Sequence, residues 1–257
     1  MVAMLDPKTL TAFVTGATSG IGAAVCRRFV AEGGRVIATG RRAERLDALA
    51  KELGPACHTA TLDVRRRETF AAALDALPEA FRRINVVVAN AGHGVGMATA
   101  QQADIAEWDD MVATNVNGLM NTVHTLLPGM LERDEGHFVI IGSIAGDYPY
   151  PGGNVYGGSK AFTKMFALGL RGDLLGANVR VTNIEPGMTE TEFMLHRFHG
   201  DAAQKAKVYE GIQPMTPDDI AETIFWSATL PRHVNINRMQ MMPVMQAFGP
   251  IAAKRKV

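Results

Sequence analysis

Thr15-Gly16-Ala17-Thr18-Ser19-Gly20-Ile21-Gly22 joins an apolar run at 12–15 to a stretch, 23–31, whose apolar residues recur at helical spacing. Glycine lets a backbone turn tightly and approach a pyrophosphate, whose charge then rests on the N-terminus of the following helix. The spacing here is Gly-x3-Gly-x-Gly rather than the commoner Gly-x-Gly-x2-Gly, and a glycine triplet alone is satisfied by a plain strand-to-helix turn. With a strand before it and a helix after it, a dinucleotide cradle is the better reading, with Gly16, Thr18, Ser19, Gly20, Ile21 and Gly22 around the ligand.

Outward from this turn, short β-branched runs at 12–15, 35–39, 59–62, 85–89, 138–142, 180–184 and 238–242 alternate with helical patterns. The helical patterns lie near 20–33, 43–53, 66–77, 105–133, 154–176 and 217–229. The strand runs are continuously apolar, as parallel strands buried on both faces must be. Strand–helix alternation predicts an α/β fold: a single Rossmann-type, doubly wound parallel sheet of about seven strands with helices on both faces. No linker or charge block divides the chain, so one domain over 1–257 is expected. The stretch 188–215 fits neither period and is read as a substrate lid over the ligand face.

The 257 residues carry 26 Lys and Arg against 26 Asp and Glu, a balance that argues against a nucleic-acid partner. No apolar run approaches the roughly 20 residues of a bilayer span, and no leader is visible, so no membrane association is expected. Cys26 and Cys57 cannot form a disulfide framework, which points to a reducing, cytoplasmic location. No metal site is expected: His196 and His199 are three apart, but no Cys or acid cluster accompanies them. The fourteen Met read as core and interface filler, and Lys254-Arg255-Lys256 is too short a basic run to argue for nucleic acid.

The second strand ends Ala38-Thr39-Gly40-Arg41-Arg42. An NAD site usually places an acid here for the ribose 2′-hydroxyl, whereas arginine suits the 2′-phosphate of NADP. Arg41 and Arg42 therefore predict NADP(H), although one of them is equally suited to a solvated helix start.

The fifth strand runs into Ser143, and thirteen residues later comes Tyr156-Gly-Gly-Ser-Lys160. Tyr156 and Lys160 share one helix face. A phenol titrating near 10 must fall by about three pH units to act near neutrality, and a lysine one turn away is a source of that stabilisation. Ser143 at a strand end is suited to hold a substrate oxygen against the Tyr156 hydroxyl. Each residue alone is unremarkable, but the three in this order after a dinucleotide turn are not.

These motifs resemble the short-chain dehydrogenase/reductases over essentially the whole chain. The matching stretches are Thr15-Gly-x3-Gly-Ile-Gly22, Leu62-Asp63-Val64, Asn90-Ala91-Gly92, Asn115-Val-Asn-Gly118, Ser143, Tyr156-x3-Lys160 and Pro186-Gly187. The resemblance implies that Asp63 and Val64 hold the adenine and that Asn90, with Ala91 and Gly92, supports the cofactor-binding strand end. It implies a catalytic tetrad of Asn115, Ser143, Tyr156 and Lys160, with Asn115 anchoring a water for proton exchange and Lys160 binding the nicotinamide ribose. Pro186, Gly187 and Met188 would meet the nicotinamide carboxamide, with Thr191 on the phosphate side. Mostly tetrameric relatives imply a homotetramer built through 105–133, 154–176 and the last strand.

Three further stretches, 149–157, 184–193 and 233–237 with 242–244, look like the NADP-dependent 3-hydroxy acid dehydrogenases that act on serine and allo-threonine. Sulfoacetaldehyde reductases are similar in the same places. An anionic small-molecule substrate then needs a cation, for which Arg197 is the first candidate, with Ser143, Tyr156, Tyr148 and Asn154 as further substrate contacts. Tyr150 is a further amphipathic candidate near the site, and His93 is read as a pocket wall rather than a proton shuttle. The expected activity is hydride transfer between NADP(H) and a small hydroxy acid or the matching carbonyl. The alternatives are a dedicated aldehyde reductase, such as one for sulfoacetaldehyde, and a non-catalytic NADP-binding regulator.

Overall fold

The computed structural model describes residues 4–248. The chain runs β1 (Thr11–Val14), α1 (Gly20–Ala31), β2 (Arg35–Gly40), α2 (Ala43–Leu53), β3 (Cys57–Thr61), α3 (Glu68–Asp75) and β4 (Val86–Ala89). It continues through α4 (Ile105–Val112), a π-helical turn (Ala113–Asn117), α5 (Gly118–Glu132), β5 (Gly136–Ile141), α6 (Asn154–Asp173) and β6 (Val179–Pro186). Two short helices, α7 (Phe193–Arg197) and α8 (Ala202–Tyr209), lead to α9 (Pro217–Thr229) and β7 (Arg238–Met241).

All seven strands pair in parallel in the order β3-β2-β1-β4-β5-β6-β7. Successive strand residues feed different cores, so both faces are apolar. Val14, Val36, Ala38, Val88 and Val139 pack with Phe29 of α1, Leu46 of α2 and Ile224 of α9. Phe13, Ile37, Val87, Phe138 and Ile140 pack with Phe70 of α3, Met130 of α5 and Leu170 of α6. This is the Rossmann-type sheet expected from continuous apolar runs. The strand order reverses between β1 and β4, which opens a crevice at their carboxyl ends.

Two helical regions depart from the expectation. The stretch 105–133 is two helices joined by the π-helical turn, not one helix. That turn is pinned from outside: Asn115 Oδ1 accepts from the His93 N–H and its Nδ2 donates to the His93 carbonyl, both at 2.9 Å. The stretch 188–215 is not irregular throughout but carries α7 and α8. It is tied back on itself where Thr189 bridges Met215 and Tyr209 Oη donates to the Thr189 carbonyl at 3.0 Å. Among the described residues no helix is long and apolar enough to cross a membrane. The basic run Lys254-Arg255-Lys256 lies outside the described residues.

Candidate active site

A cleft of about 500 Å³ lies along the strand carboxyl ends, from Arg41 and Arg42 at one end to Ser143, Tyr156 and Phe193 at the other. Its floor is the glycine turn. Gly16 and Gly20 have φ of +68° and +50°, which side chains rarely adopt. A Cβ on Gly22 would come within 2.7 Å of Asn90 Nδ2, and one on Gly40 within 2.6 Å of Thr18 Cγ2. Asn90 Nδ2 donates to the Thr15 and Gly16 carbonyls at 3.0 and 3.2 Å, so it fixes the turn from beneath. Thr15 Oγ1 accepts from the Asn90 and Ala91 N–H groups, both at 3.0 Å. A bare backbone floor with an arginine-lined end fits an elongated dinucleotide carrying a 2′-phosphate.

Arg42 at that end donates to Thr18 Oγ1 and Ser19 Oγ and pairs with Glu192. Leu62, Asp63 and Val64 line the cleft beside it, and the guanidinium of Arg65 holds the Asp63 carboxyl below its usual range. Ala91, Gly92, Pro186, Gly187, Met188 and Thr191 line the cleft too. Gln246 accepts from the Met188 N–H at 2.8 Å and so braces the Pro186–Met188 corner.

At the other end β5 delivers Ser143, which caps the following turn by accepting from the Ala145 N–H at 3.1 Å. α6 presents Tyr156 and Lys160, one turn apart. Lys160 Nζ donates to the Ile141 carbonyl at 2.8 Å and stands 6.0 Å from the Tyr156 ring centroid. Burial pushes the Tyr156 phenol up to about 12, against a hydrogen bond from Ser143 that lowers it. Burial also brings the Lys160 ammonium down to about 8. Both groups are thus desolvated, and the Lys160 ammonium donates to a backbone carbonyl. Asn115 Nδ2 also donates to Ser159 Oγ at 3.0 Å, tying the π-helical turn to the catalytic helix.

The substrate candidates separate. Tyr148 does not line the cleft; its hydroxyl turns outward to Gln240 Oε1 at 3.2 Å. Asn154 is exposed at the start of α6 and its Oδ1 accepts from the Val155 N–H, so it too is off the cleft. Both flank the site in sequence, but the loop and first helical turn direct them away. Tyr150 lines the cleft instead. Arg197 lies behind the lining rather than in it and is only 2% exposed. Its guanidinium donates to the Gly152 carbonyl at 2.8 Å and the Tyr150 hydroxyl at 3.2 Å, and its Cζ sits 5.4 Å from the Tyr156 ring centroid. These partners are neutral, so a full positive charge stands next to the Tyr156 ring. Sequence reading missed Glu192, Phe193 and Gln246; their approach depends on pairings across the fold, with no local motif to announce it.

Comparison with known proteins agrees with this geometry. The model of the short chain dehydrogenase family matches residues 10–201. The chain is 51% identical to serine 3-dehydrogenase of Agrobacterium fabrum over 246 residues, 96% of this chain and 98% of that protein. It is 51% identical to the NADP-dependent 3-hydroxy acid dehydrogenase YdfG of Salmonella typhi over 243 residues, 94% of this chain and 98% of that one. A solved closed form of serine dehydrogenase complexed with NADP+ superposes with a TM-score of 0.92 at 47% identity, covering 96% of this chain and 100% of that one. With the glycine floor, the Ser143–Tyr156–Lys160 cluster and this likeness along nearly its whole length, the chain belongs to the short-chain dehydrogenase family.

Proposed function

We propose that the protein is an NADP-dependent oxidoreductase that transfers a hydride between NADP(H) and a small 3-hydroxy acid such as serine, or the matching carbonyl. The observation that carries this is one cleft with an arginine and two hydroxyls at one end and Ser143, Tyr156 and Lys160 at the other. Relatives at about half identity bear the names serine 3-dehydrogenase and NADP-dependent 3-hydroxy acid dehydrogenase, which supports the reading.

NADP(H), when bound, supplies the hydride acceptor or donor and, oxidised, a positive charge at the nicotinamide end of the cleft. In the proposed reaction Ser143 Oγ hydrogen-bonds the substrate oxygen and orients it towards Tyr156 Oη. The Tyr156 hydroxyl gives its proton to a carbonyl oxygen in reduction and takes one from the alcohol in oxidation. A phenol held near 12 is fully protonated at neutral pH and ready to donate; withdrawing a proton from the alcohol needs positive charge beside it. Arg197 already lowers the phenol by its charge, and Lys160 lies on the same helix face. Asn115 holds the π-helical turn against the 90–93 loop and Ser159, and so positions that helix. Arg197 attracts an anionic substrate through its field. A sulfonate answers to the same cation, so reduction of sulfoacetaldehyde differs from the leading reading only in the substrate.

A homotetramer acting in the cytoplasm belongs to the same proposal, by family resemblance. Exposed Val112 and Leu131 around α5 and exposed Met165 and Leu168 on α6 support assembly through those helices. Light scattering after size exclusion tests this, and a single-subunit mass would refute it. The activity is tested at 340 nm with serine and 3-hydroxypropionate plus NADP+, and with sulfoacetaldehyde and semialdehydes plus NADPH. Tyr156→Phe should abolish turnover while leaving NADPH binding intact; NADPH binding with no turnover of any substrate would favour the regulator.

A further inference from the structure

Resting on the NADP reading above, we propose that Glu192 is a specificity-determining residue that competes with the 2′-phosphate for Arg42, and that Arg45 holds Glu192 when it yields. Arg42 Nε and Nη2 donate to Thr18 Oγ1 at 3.0 and 2.6 Å, Nη2 donates to Ser19 Oγ at 2.8 Å, and Nη1 donates to Glu192 Oε2 at 3.2 Å. Three donors are therefore fixed on the cradle side, and the fourth contact is the longest. Glu192 lines the cleft alongside Arg41, Arg42, Thr18 and Ser19. On its other side Arg45, in the first turn of α2, places Nη1 at 2.8 and 2.9 Å from both Glu192 oxygens. One carboxylate thus stands between an arginine that faces the cleft and an arginine outside its lining.

A phosphate monoester brings a charge of about −1.5 to −2 and strong acceptor oxygens to the Arg42 end. Beside it a carboxylate is a like charge, and the weaker of its two ion pairs is the one to part. Arg42 Nη1 passes from Glu192 Oε2 to a phosphate oxygen, and Glu192 stays with Arg45. A ligand lacking the 2′-phosphate leaves the Arg42–Glu192 pair in place. Glu192 also directly precedes α7, without a side-chain hydrogen bond to the helix, so the exchange acts at the start of the segment that leads to Arg197.

The test is calorimetric binding of adenosine 2′,5′-bisphosphate and adenosine 5′-monophosphate to the ligand-free wild type, Glu192→Gln, Arg45→Ala and the double variant. Melting temperatures and Glu192→Asp, which keeps the charge and should behave as wild type, control for folding. Glu192→Gln should tighten the bisphosphate by roughly threefold to tenfold and leave the monophosphate unchanged. Arg45→Ala should weaken the bisphosphate, and much less so in the Glu192→Gln background. Unchanged or weaker bisphosphate binding by Glu192→Gln, an equal change for both ligands, or the same Arg45→Ala cost in both backgrounds overturns the proposal. A wild type that binds the two ligands equally overturns the NADP reading itself, and this inference with it.

Discussion

Lys160 and Tyr156 are both held towards their neutral forms by burial, and this has opposite consequences for stability. Lys160 falls from 10.5 to about 8 in the fold, so between those values the unfolded chain binds more protons and stability rises with pH. Below pH 8 the folded protein bears the cost of a desolvated ammonium, about 3 kcal/mol by that difference. Tyr156 rises from 10.0 to about 12, so above pH 10 the sign reverses and stability falls. Lys160→Met should therefore raise the melting temperature at pH 7 and flatten the rise between pH 8 and 10, followed by circular dichroism, while abolishing turnover. A drop in stability at pH 7 would mean that the bond to the Ile141 carbonyl outweighs desolvation. Arg197 makes a different residue-scale prediction. Arg197→Ala should raise KM for a carboxylate substrate at least tenfold but not for a neutral aldehyde of the same length; an equal rise in both would reject a role in attracting anions. The residue scale is also where sequence was least legible. Tyr148 and Tyr150 are two apart in the same irregular stretch, yet one turns out to Gln240 and the other into the cleft, because no secondary-structure period fixes their direction. Glu192 and Arg45 lie 147 positions apart, and no local pattern announces their pairing.

At the scale of elements, the helix expected near 217–229 is α9 itself, and its start rests on a local cap chemistry. Thr216-Pro217-Asp218-Asp219 forms the reciprocal cap of α9: Asp219 N–H donates to Thr216 Oγ1 at 3.3 Å, and Thr216 N–H donates to Asp219 Oδ2 at 2.7 Å. Removing the hydroxyl with Thr216→Ala should cost about 1 kcal/mol. In a chain of this size that lowers the melting temperature by roughly 2–4 °C. No change would show that Asp219 and Pro217 suffice. The π-helical turn was not readable, because one extra residue in a helix barely disturbs the apolar period over 105–133. Its cause lies in a loop distant in sequence, where His93 offers both its N–H and its carbonyl to Asn115. Such turns recur at functional sites because they re-aim one side chain without breaking the helix. Asn115→Ala should lower kcat more than KM; a change in KM alone would place Asn115 in substrate binding instead.

Across the whole molecule the sheet was legible mainly from its central strands, such as Val86–Ala89 of β4, where burial on both faces leaves near-continuous apolar runs; β6, which buries Arg180, Asn183 and Glu185, carries that signal less cleanly. The glycine turn then located the crevice, since the strand order reverses beside β1. The same double burial makes the two cores share one sheet: Phe13 and Val14 are neighbours in β1, yet they belong to different cores. Phe29 of α1 is fully buried edge-on to Phe225 of α9 at 5.3 Å, and Phe70 of α3 is fully buried against Phe13 at 6.5 Å. Truncating either leaves a cavity under the central strands and should cost about 3–5 kcal/mol. If the chain is one domain, as its undivided sheet suggests, neither core can melt while the other holds β1 and β4. Phe29→Ala and Phe70→Ala should each lower a single calorimetric transition, with near-additive effects in the double variant because the substitutions sit on opposite faces. A second transition in either variant would mean that one helical layer detaches alone and that the sheet does not unify the fold.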